Sequence, residues 1–169
     1  YPNPEDDSAM ELGKKMCEEI NADIFLATDP DSDRVGVVAK RGADYERLNG
    51  NQVGVLLLDY VLATKKEQGT LPKNPIVIKT IVTTEMVEKI AKGFGAEVIN
   101  TLTGFKYIGE QIGELEKKEE LERFVFGVEE SCGYLIGPYV RDKDAVGAIM
   151  LLCEMADNYK KQGKTLWDR

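Results

Sequence analysis

Histidine is absent from the 169 residues. Any proton moved by this chain must travel through Lys, Asp, Glu, Tyr or Cys, so mechanisms built on a catalytic histidine are excluded for these residues. Cysteine is scarce: Cys17, Cys132 and Cys153 are odd in number, widely spaced and without a C-x-x-C pair, which suggests neither a disulfide framework nor a zinc site. A reducing, cytoplasmic setting fits that usage best. Long apolar runs are missing too. One such run, Val53 to Leu58, is cut by Asp59, and no signal peptide opens the chain, so neither a membrane span nor an export address is expected. Positive charge is in deficit, 22 Lys and Arg against 30 Asp and Glu, and the formal charge of -8 argues against a general nucleic-acid or anionic-membrane binder.

What is present is a globular composition, 43% hydrophobic and 31% charged. A chain of this length can bury roughly two thirds of its unfolded surface, in one ordinary core or two small ones. It opens at Tyr1 without an initiator Met and stops at Thr165-Leu166-Trp167-Asp168, which has the spacing of a helix start capped by Thr165. The expectation is a piece of a longer protein.

Taken in order, Ser8-Ala9-Met10-Glu11 has capping-box spacing, and Leu12, Met16 and Ile20 recur every four residues, predicting an amphipathic helix from Ala9 to about Asn21. A strand Ile24 to Thr28 follows, apolar enough to be covered on both faces. Val35 to Lys40 and Tyr45 to Leu48 read as a hairpin around Arg41-Gly42-Ala43-Asp44. A domain change is placed there, dividing the chain into 1–48 and 49–169. Val53, Leu56, Leu57, Tyr60, Val61 and Thr64 mark a helix that ends before the turn-rich Gln68 to Pro75. Strands at Ile76–Thr80, Ala96–Asn100 and Phe124–Val128 then alternate with helices at about Thr84–Lys92, Tyr107–Leu115 and Asp144–Lys161. Val146, Ile149, Met150 and Cys153 mark the last helix, which is stopped by Gly163. The fold class is α/β: layered αβα units with a mixed, largely parallel sheet in two adjacent domains, the first incomplete, and with no short internal repeat. The run Glu116-Lys117-Lys118-Glu119-Glu120 is read as a solvated helix end or turn.

The stretch with the most chemistry is Ala27-Thr28-Asp29-Pro30-Asp31-Ser32-Asp33-Arg34-Val35. Three carboxylates at alternate positions follow one buried strand and precede another. Held about 4 to 5 Å apart, they would repel by roughly 4 kcal/mol per pair at an effective dielectric near 20, a cost that a divalent cation reverses. An EF-hand starting at Asp29 would want Gly and Glu where Arg34 and Lys40 stand, so that reading fails. An aspartyl-nucleophile pair suits a third Asp and an Arg less well than a cation clamp does, and an ordinary loop of Asx turns remains open. Asp29, Asp31 and Asp33 are therefore candidate Mg²⁺ ligands, with Arg34 placed to grip a phosphate.

Two later loops also follow strands. Thr101-Leu102-Thr103-Gly104-Phe105-Lys106 opens a helix, where backbone N–H groups and Lys106 can face an anionic or hydroxylated ligand; taken by itself, an ordinary strand-to-helix turn with a Thr cap and Gly is the better reading. Gly127-Val128-Glu129-Glu130-Ser131-Cys132-Gly133-Tyr134 places two acids and a hydroxyl at a strand end, suited to holding a polyol or, alone, to a capped turn.

In this order and spacing, ATDPDSDRVGVV, TGFKYIGE and GVEESCGYLIGPYVRDKDAVGA resemble the α-D-phosphohexomutase family, most closely its bacterial phosphoglucomutase branch. The resemblance covers essentially the whole chain, as the end of that family's second domain and its third domain. It implies Mg²⁺ on Asp29, Asp31 and Asp33 beside a phosphoserine oxygen, with Arg34 in the active site. It implies sugar hydroxyls read by Glu129 and Ser131, with Glu130 in the intervening position, and a sugar-orienting loop at Thr103, Gly104, Phe105 and Lys106. Lys143 matches a lysine considered as general acid or base. Some relatives carry a histidine beside the sugar loop where Gly133 stands. The phosphoserine motif of the family's first domain and the phosphate-gripping loop of its fourth do not occur in these residues. The implied activity is interconversion of glucose 1-phosphate and glucose 6-phosphate through a bisphosphorylated sugar, with this piece alone inactive. Relatives acting on mannose or pentose phosphates, or a non-catalytic metal- or sugar-phosphate-binding module, are the alternatives.

Overall fold

The structure, a computed structural model, describes residues 2–169. It begins with helix α1 (Asp7–Ile20), started by Asp6, whose carboxylate accepts from the Ser8 amide, and stopped by Asn21 in the left-handed region. The cap is thus Asp6 rather than Ser8. The apolar stripe expected to face inward is also displaced. Leu12, Met16 and Ile20 are exposed, while Met10 and Cys17 are buried on Phe25, Val38 and Tyr45.

A three-stranded sheet follows: β1 (Ile24–Thr28), β2 (Val35–Arg41) and β3 (Asp44–Leu48), each antiparallel to its neighbour. β1 is an edge strand, half-buried along its length rather than covered on both faces. The β2–β3 turn is Gly42-Ala43, where Gly42 has φ of 63°, a conformation that costs glycine nothing. βαβ alternation therefore does not extend through this half; the links from β1 to β2 and from β2 to β3 are too short for a crossover.

Helix α2 (Gly50–Glu67) starts in a reciprocal Asn49/Gln52 capping box. Its Leu57, Leu58 and Leu62 are fully buried, each worth about 1.5–3 kcal/mol relative to exposure. The second sheet has strand order β5-β4-β6-β7, from β4 (Ile76–Thr80), β5 (Glu97–Thr101), β6 (Phe124–Glu129) and β7 (Gly133–Leu135). β5 and β6 run parallel to β4, and β7 turns back antiparallel on β6. Helices α3 (Met86–Gly93) and α4 (Phe105–Lys117) make the crossovers, and α5 (Ala145–Lys161) is capped by Asp144. The fold is α/β, with a mixed, largely parallel sheet beside an antiparallel one.

Only part of the apolar stripe that marks α5 is covered. Ala145, Ala148, Leu152, Met155 and Tyr159 are buried, whereas Val146, Met150 and Cys153 are exposed. Small alanines permit close approach to the sheets, a signal that hydrophobicity alone conceals. One core joins the two sheets, with Val35, Val37 and Leu48 packed among Leu57, Val61 and Leu152. Thr165 and Asp168 do form a capping box, but over a short 3-10 turn, Leu166–Asp168, whose Trp167 ring lies under the Arg41 guanidinium. Among the described residues no helix is long and apolar enough to cross a membrane.

Candidate functional site: two loops joined by a lysine

The chain uses one local design twice. α1, β1 and β2 enclose the Asp29–Arg34 loop; α4, β6 and β7 enclose the loop Glu130-Ser131-Cys132. Each is a helix, a strand, a loop at the strand's C-terminal end and an antiparallel return. Each loop also holds one non-glycine residue with positive φ, Ser32 at 57° and Cys132 at 60°, costing about 1–2 kcal/mol apiece. The two loops meet. Arg34 and Gly133 form an isolated antiparallel bridge, the Val35 amide donates to the Cys132 carbonyl at 3.2 Å, and the Ala145 amide to the Ser32 carbonyl at 3.1 Å.

In the first loop Asp29 is buried and accepts three hydrogen bonds. Its Oδ1 takes the amides of Asp33 and Arg34, both at 3.1 Å, and its Oδ2 takes Arg34 Nε at 2.7 Å. Burial would push its carboxyl up, but hydrogen bonding from Asp33 and from the backbone and guanidinium of Arg34 outweighs it, holding the group at about 2. Asp33 moves the other way, pushed up by burial and by the neighbouring Asp29 against the pull of Lys143. Asp31 is exposed. Asp29, Asp31 and Asp33 each present a carboxylate oxygen, all within 4.8 Å of one another. Asp33 Oδ1 is buried without a hydrogen-bond partner among the described residues, an acceptor still to be satisfied. Three hard oxygens and an orphaned acceptor fit a divalent cation such as Mg²⁺.

In the second loop Glu129 is buried, and its Oε1 accepts from the Gly104 amide at 2.9 Å, tying the loop before α4 to the end of β6. Burial pushes the Glu129 carboxyl up, and Lys143 pulls against that. Lys143 Nζ stands 2.8 Å from Asp33 Oδ2 and 4.0 Å from Glu129 Oε2, joining the metal-type loop to the polyol-type loop. Burial acts to lower the Lys143 pKa, but Asp33, Asp142 and Glu129 together raise it, so the group stands here as a proton donor.

Other expected residues separate. Gly104 is in the network, with φ of 116° that a side chain would resist. Thr103 and Lys106 are exposed beside it, Lys106 over the Tyr107 ring. Phe105 is 3% exposed in the core under β4 and β6, its ring 5.6 Å from Lys143 Nζ; it supports the lysine rather than opening to a ligand. Ser131 is half-buried between Glu130 and Cys132. Three residues not singled out from the sequence sit under the second loop. These are Lys79, 2% exposed, with Thr80 and Thr83, both buried. A lysine and a threonine closing the otherwise apolar run Ile76-Val77-Ile78 was a readable signal, since a buried ammonium needs partners.

Gly133 is glycine for a reason visible here: a Cβ would overlap the Lys143 chain. Because the obstacle is a flexible side chain, Gly133→Ala should cost under about 1 kcal/mol of stability in a urea melt. It should nonetheless displace Lys143 from Asp33, so the Asp33 carboxyl titrates higher by ¹³C NMR. An unchanged Asp33 titration would mean that the lysine keeps its place.

Residues 49–169 match the family described as phosphoglucomutase/phosphomannomutase, alpha/beta/alpha domain III, and residues 1–42 match its domain II. The chain belongs to the phosphoglucomutase/phosphomannomutase family. It is similar to the phosphoglucomutase of Staphylococcus saprophyticus, 39% identical over 164 residues and 96% of this chain, and to that of Staphylococcus aureus strain USA300, 36% identical over 98% of this chain. In both cases it spans 29% of the relative's length. A putative phosphomannomutase from Thermus thermophilus shares the fold, with a TM-score of 0.74 at 24% identity, over 99% of this chain and 34% of that one. Family membership gives the paired loops a common context, since this family's relatives are sugar-phosphate mutases by name.

Proposed function

We propose that this chain supplies the metal loop and the sugar loop of a Mg²⁺-dependent phosphoglucomutase. The reading assigns residues 1–48 to the end of the second domain and 49–169 to the third, in a cytoplasmic parent protein. The observation that carries it is the position of Lys143 between Asp33 and Glu129, which makes one site of two loops that singly would be ambiguous. The naming of relatives at 36–39% identity as phosphoglucomutases favours glucose phosphates over mannose or pentose phosphates.

The chemistry is two phosphoryl transfers. A phosphoserine elsewhere in the parent loses its phosphoryl group to a free sugar hydroxyl: the serine P–O bond breaks, a sugar P–O bond forms, and the hydroxyl proton leaves to a base. The bisphosphate then turns and returns its other phosphoryl group to the serine. A Mg²⁺ ion on Asp29, Asp31 and Asp33 supplies Lewis-acid charge stabilisation. Arg34, anchored by Asp29, steadies the phosphate side. Glu129 and Ser131 hold sugar hydroxyls, the loop at Thr103, Gly104 and Lys106 borders the sugar, and Lys143, charged as it stands, donates the proton to the sugar oxygen freed in the second transfer. The remaining domains of the parent are the partners, covering the faces that Leu12, Met16 and Ile20 on α1 and Val146 and Met150 on α5 leave open.

The test is turnover. The 169-residue chain, free of host enzyme, should show no mutase activity, whereas the full-length parent should interconvert glucose 1-phosphate and glucose 6-phosphate only with Mg²⁺ present. In the parent, Asp31→Asn should lower kcat/KM at least a hundredfold, about 2.7 kcal/mol of transition-state stabilisation. Turnover by the isolated chain, or an Asp31→Asn parent with unchanged kinetics, would overturn the assignment.

A further inference from the structure

Glu129 and Glu130 are adjacent but serve opposite sides of the strand end. Glu129 turns to Gly104 and Lys143, whereas Glu130 turns to the end of β4. There its Oε2 lies 2.8 Å from Thr80 Oγ1 and 3.2 Å from Thr83 Oγ1, and the two hydroxyls are 2.7 Å apart. Three short contacts share two hydroxyl protons, because a carboxylate brings none. The distances allot them: Thr83 donates to Thr80, Thr80 donates to Glu130, and the longer Thr83–Glu130 approach goes without. The result is a directed chain of hydrogen bonds, each polarising the next.

The platform under this chain is rigid. Lys79 Nζ, buried beneath it, donates to the Thr83 carbonyl at 3.0 Å and lies 3.4 Å from that of Thr80. The Thr83 amide closes the turn onto Thr80 at 3.1 Å, and Asn51 of α2 accepts the Thr84 amide at 2.9 Å. The loop it holds needs such an anchor, since Cys132 occupies a left-handed conformation that a β-carbon resists.

We propose that Glu130 is a positioning residue, pinning the loop of Glu129 and Ser131 to the end of β4 through the hydroxyls of Thr80 and Thr83. The inference rests on the reading of that loop as the sugar site. Glu130 touches no reacting group; it fixes where Glu129 and Ser131 stand, and so acts on substrate affinity and alignment.

Two measurements test it. In the 169-residue chain, amide hydrogen exchange at Gly104 reports how firmly Glu129 is held. In the full-length parent, KM and kcat for glucose 1-phosphate report sugar alignment. Thr80→Val, nearly equal in volume but without the donor, should speed Gly104 exchange about tenfold while slowly exchanging core amides keep their rates, and should raise KM five- to tenfold with a smaller change in kcat. Glu130→Ala should do the same. Glu130→Gln, whose amide oxygen still accepts from Thr80, should restore both values to within about threefold. The inference is overturned if Glu130→Ala leaves Gly104 exchange and KM at wild-type values. It is equally overturned if Thr80→Val is silent, or if core amides accelerate in step with Gly104, which is general destabilisation. A wild-type parent without mutase activity would defeat the functional reading alone, because the exchange measurement still decides the anchor.

Discussion

Asp29→Ala should remove about 2–4 kcal/mol of stability from the 169-residue chain and abolish divalent-metal binding at the proposed site. The buried carboxylate accepts two amides and a guanidinium, so its removal leaves three donors without their partner, each costing about 1–3 kcal/mol where water cannot reach it. Arg34 is partly exposed, so water offsets part of that loss, which keeps the figure below a simple sum. The pH dependence has a definite sign. The folded carboxyl is held at about 2 against an ordinary value of 3.8, so its stabilisation of about 2 kcal/mol is complete above pH 4 and is lost as pH falls toward 2. Metal-free urea melts between pH 2 and 6 should show this acid limb in the wild type and a flatter one in Asp29→Ala. Asp29→Asn should fall between, since its amide oxygen can still accept the two backbone N–H groups while its charge on Arg34 is gone. Equal stability of all three proteins at pH 6 would contradict the role given to Asp29.

The second large effect is expected at Gly50, the first residue of α2. Helix propensity alone would make Gly50→Ala stabilising by up to about 1 kcal/mol. A Cβ there, however, would overlap the Glu130 carbonyl oxygen and crowd the Cys132 amide, both backbone atoms of the Glu130–Cys132 loop. Backbone cannot rotate aside as a lysine chain can, so the helix start and the loop must part, at about 1–3 kcal/mol of overpacking. The Tyr134 hydroxyl, which donates to the Gly50 carbonyl at 2.9 Å, moves with them. Gly50→Ala should therefore destabilise the chain by about 1–2 kcal/mol and loosen the Gly104–Glu129 hydrogen bond. Gly113→Ala is the control: it lies within α4 with nothing within 4 Å of its Cβ position, and should stabilise by about 0.5–1 kcal/mol. Urea melts of the pair should move in opposite directions; movement in the same direction would refute the packing argument.

Much of the fold was legible because its strands are short apolar runs and its helices carry good periodicity. β1, β4 and β6 begin where the apolar runs begin, and the parallel order around β4 follows from the intervening helices. Which faces of α1 and α5 are covered was not readable, for one physical reason. Periodicity finds an apolar stripe without saying what covers it, and among the described residues Leu12, Met16, Val146 and Met150 are exposed. The antiparallel return β7 was missed because three residues with two glycine-flanked turns give no alternation to count. The repeated helix–strand–loop–return design was invisible for another reason: ATDPDSDRV and VEESCGYL share backbone course, not composition.

At the site, the aspartate cluster and Glu129 were readable from charge at strand ends. The placement of Lys143 between them was not, since it depends on the bare Cα of Gly133 making room. Phe105 was expected among ligand-facing residues through its motif, but helix α4 begins at that residue and turns it into the core. Lys79, Thr80 and Thr83 are joined to the site only by the parallel pairing of β4 with β6, a contact that no local spacing contains.

The central claim is that the aspartate loop and the sugar loop form one metal-centred site. Mn²⁺ titrated into the isotope-labelled 169-residue chain tests it directly, because a paramagnetic ion broadens the resonances nearest to it. Asp29, Asp31 and Asp33 should broaden first, followed by Cys132, Gly133 and Lys143, with Glu116 to Glu120 unaffected, and Mg²⁺ should reverse the effect. Broadening centred on Glu116 to Glu120, or confined to the aspartate loop while Gly133 and Lys143 stay sharp, would contradict it.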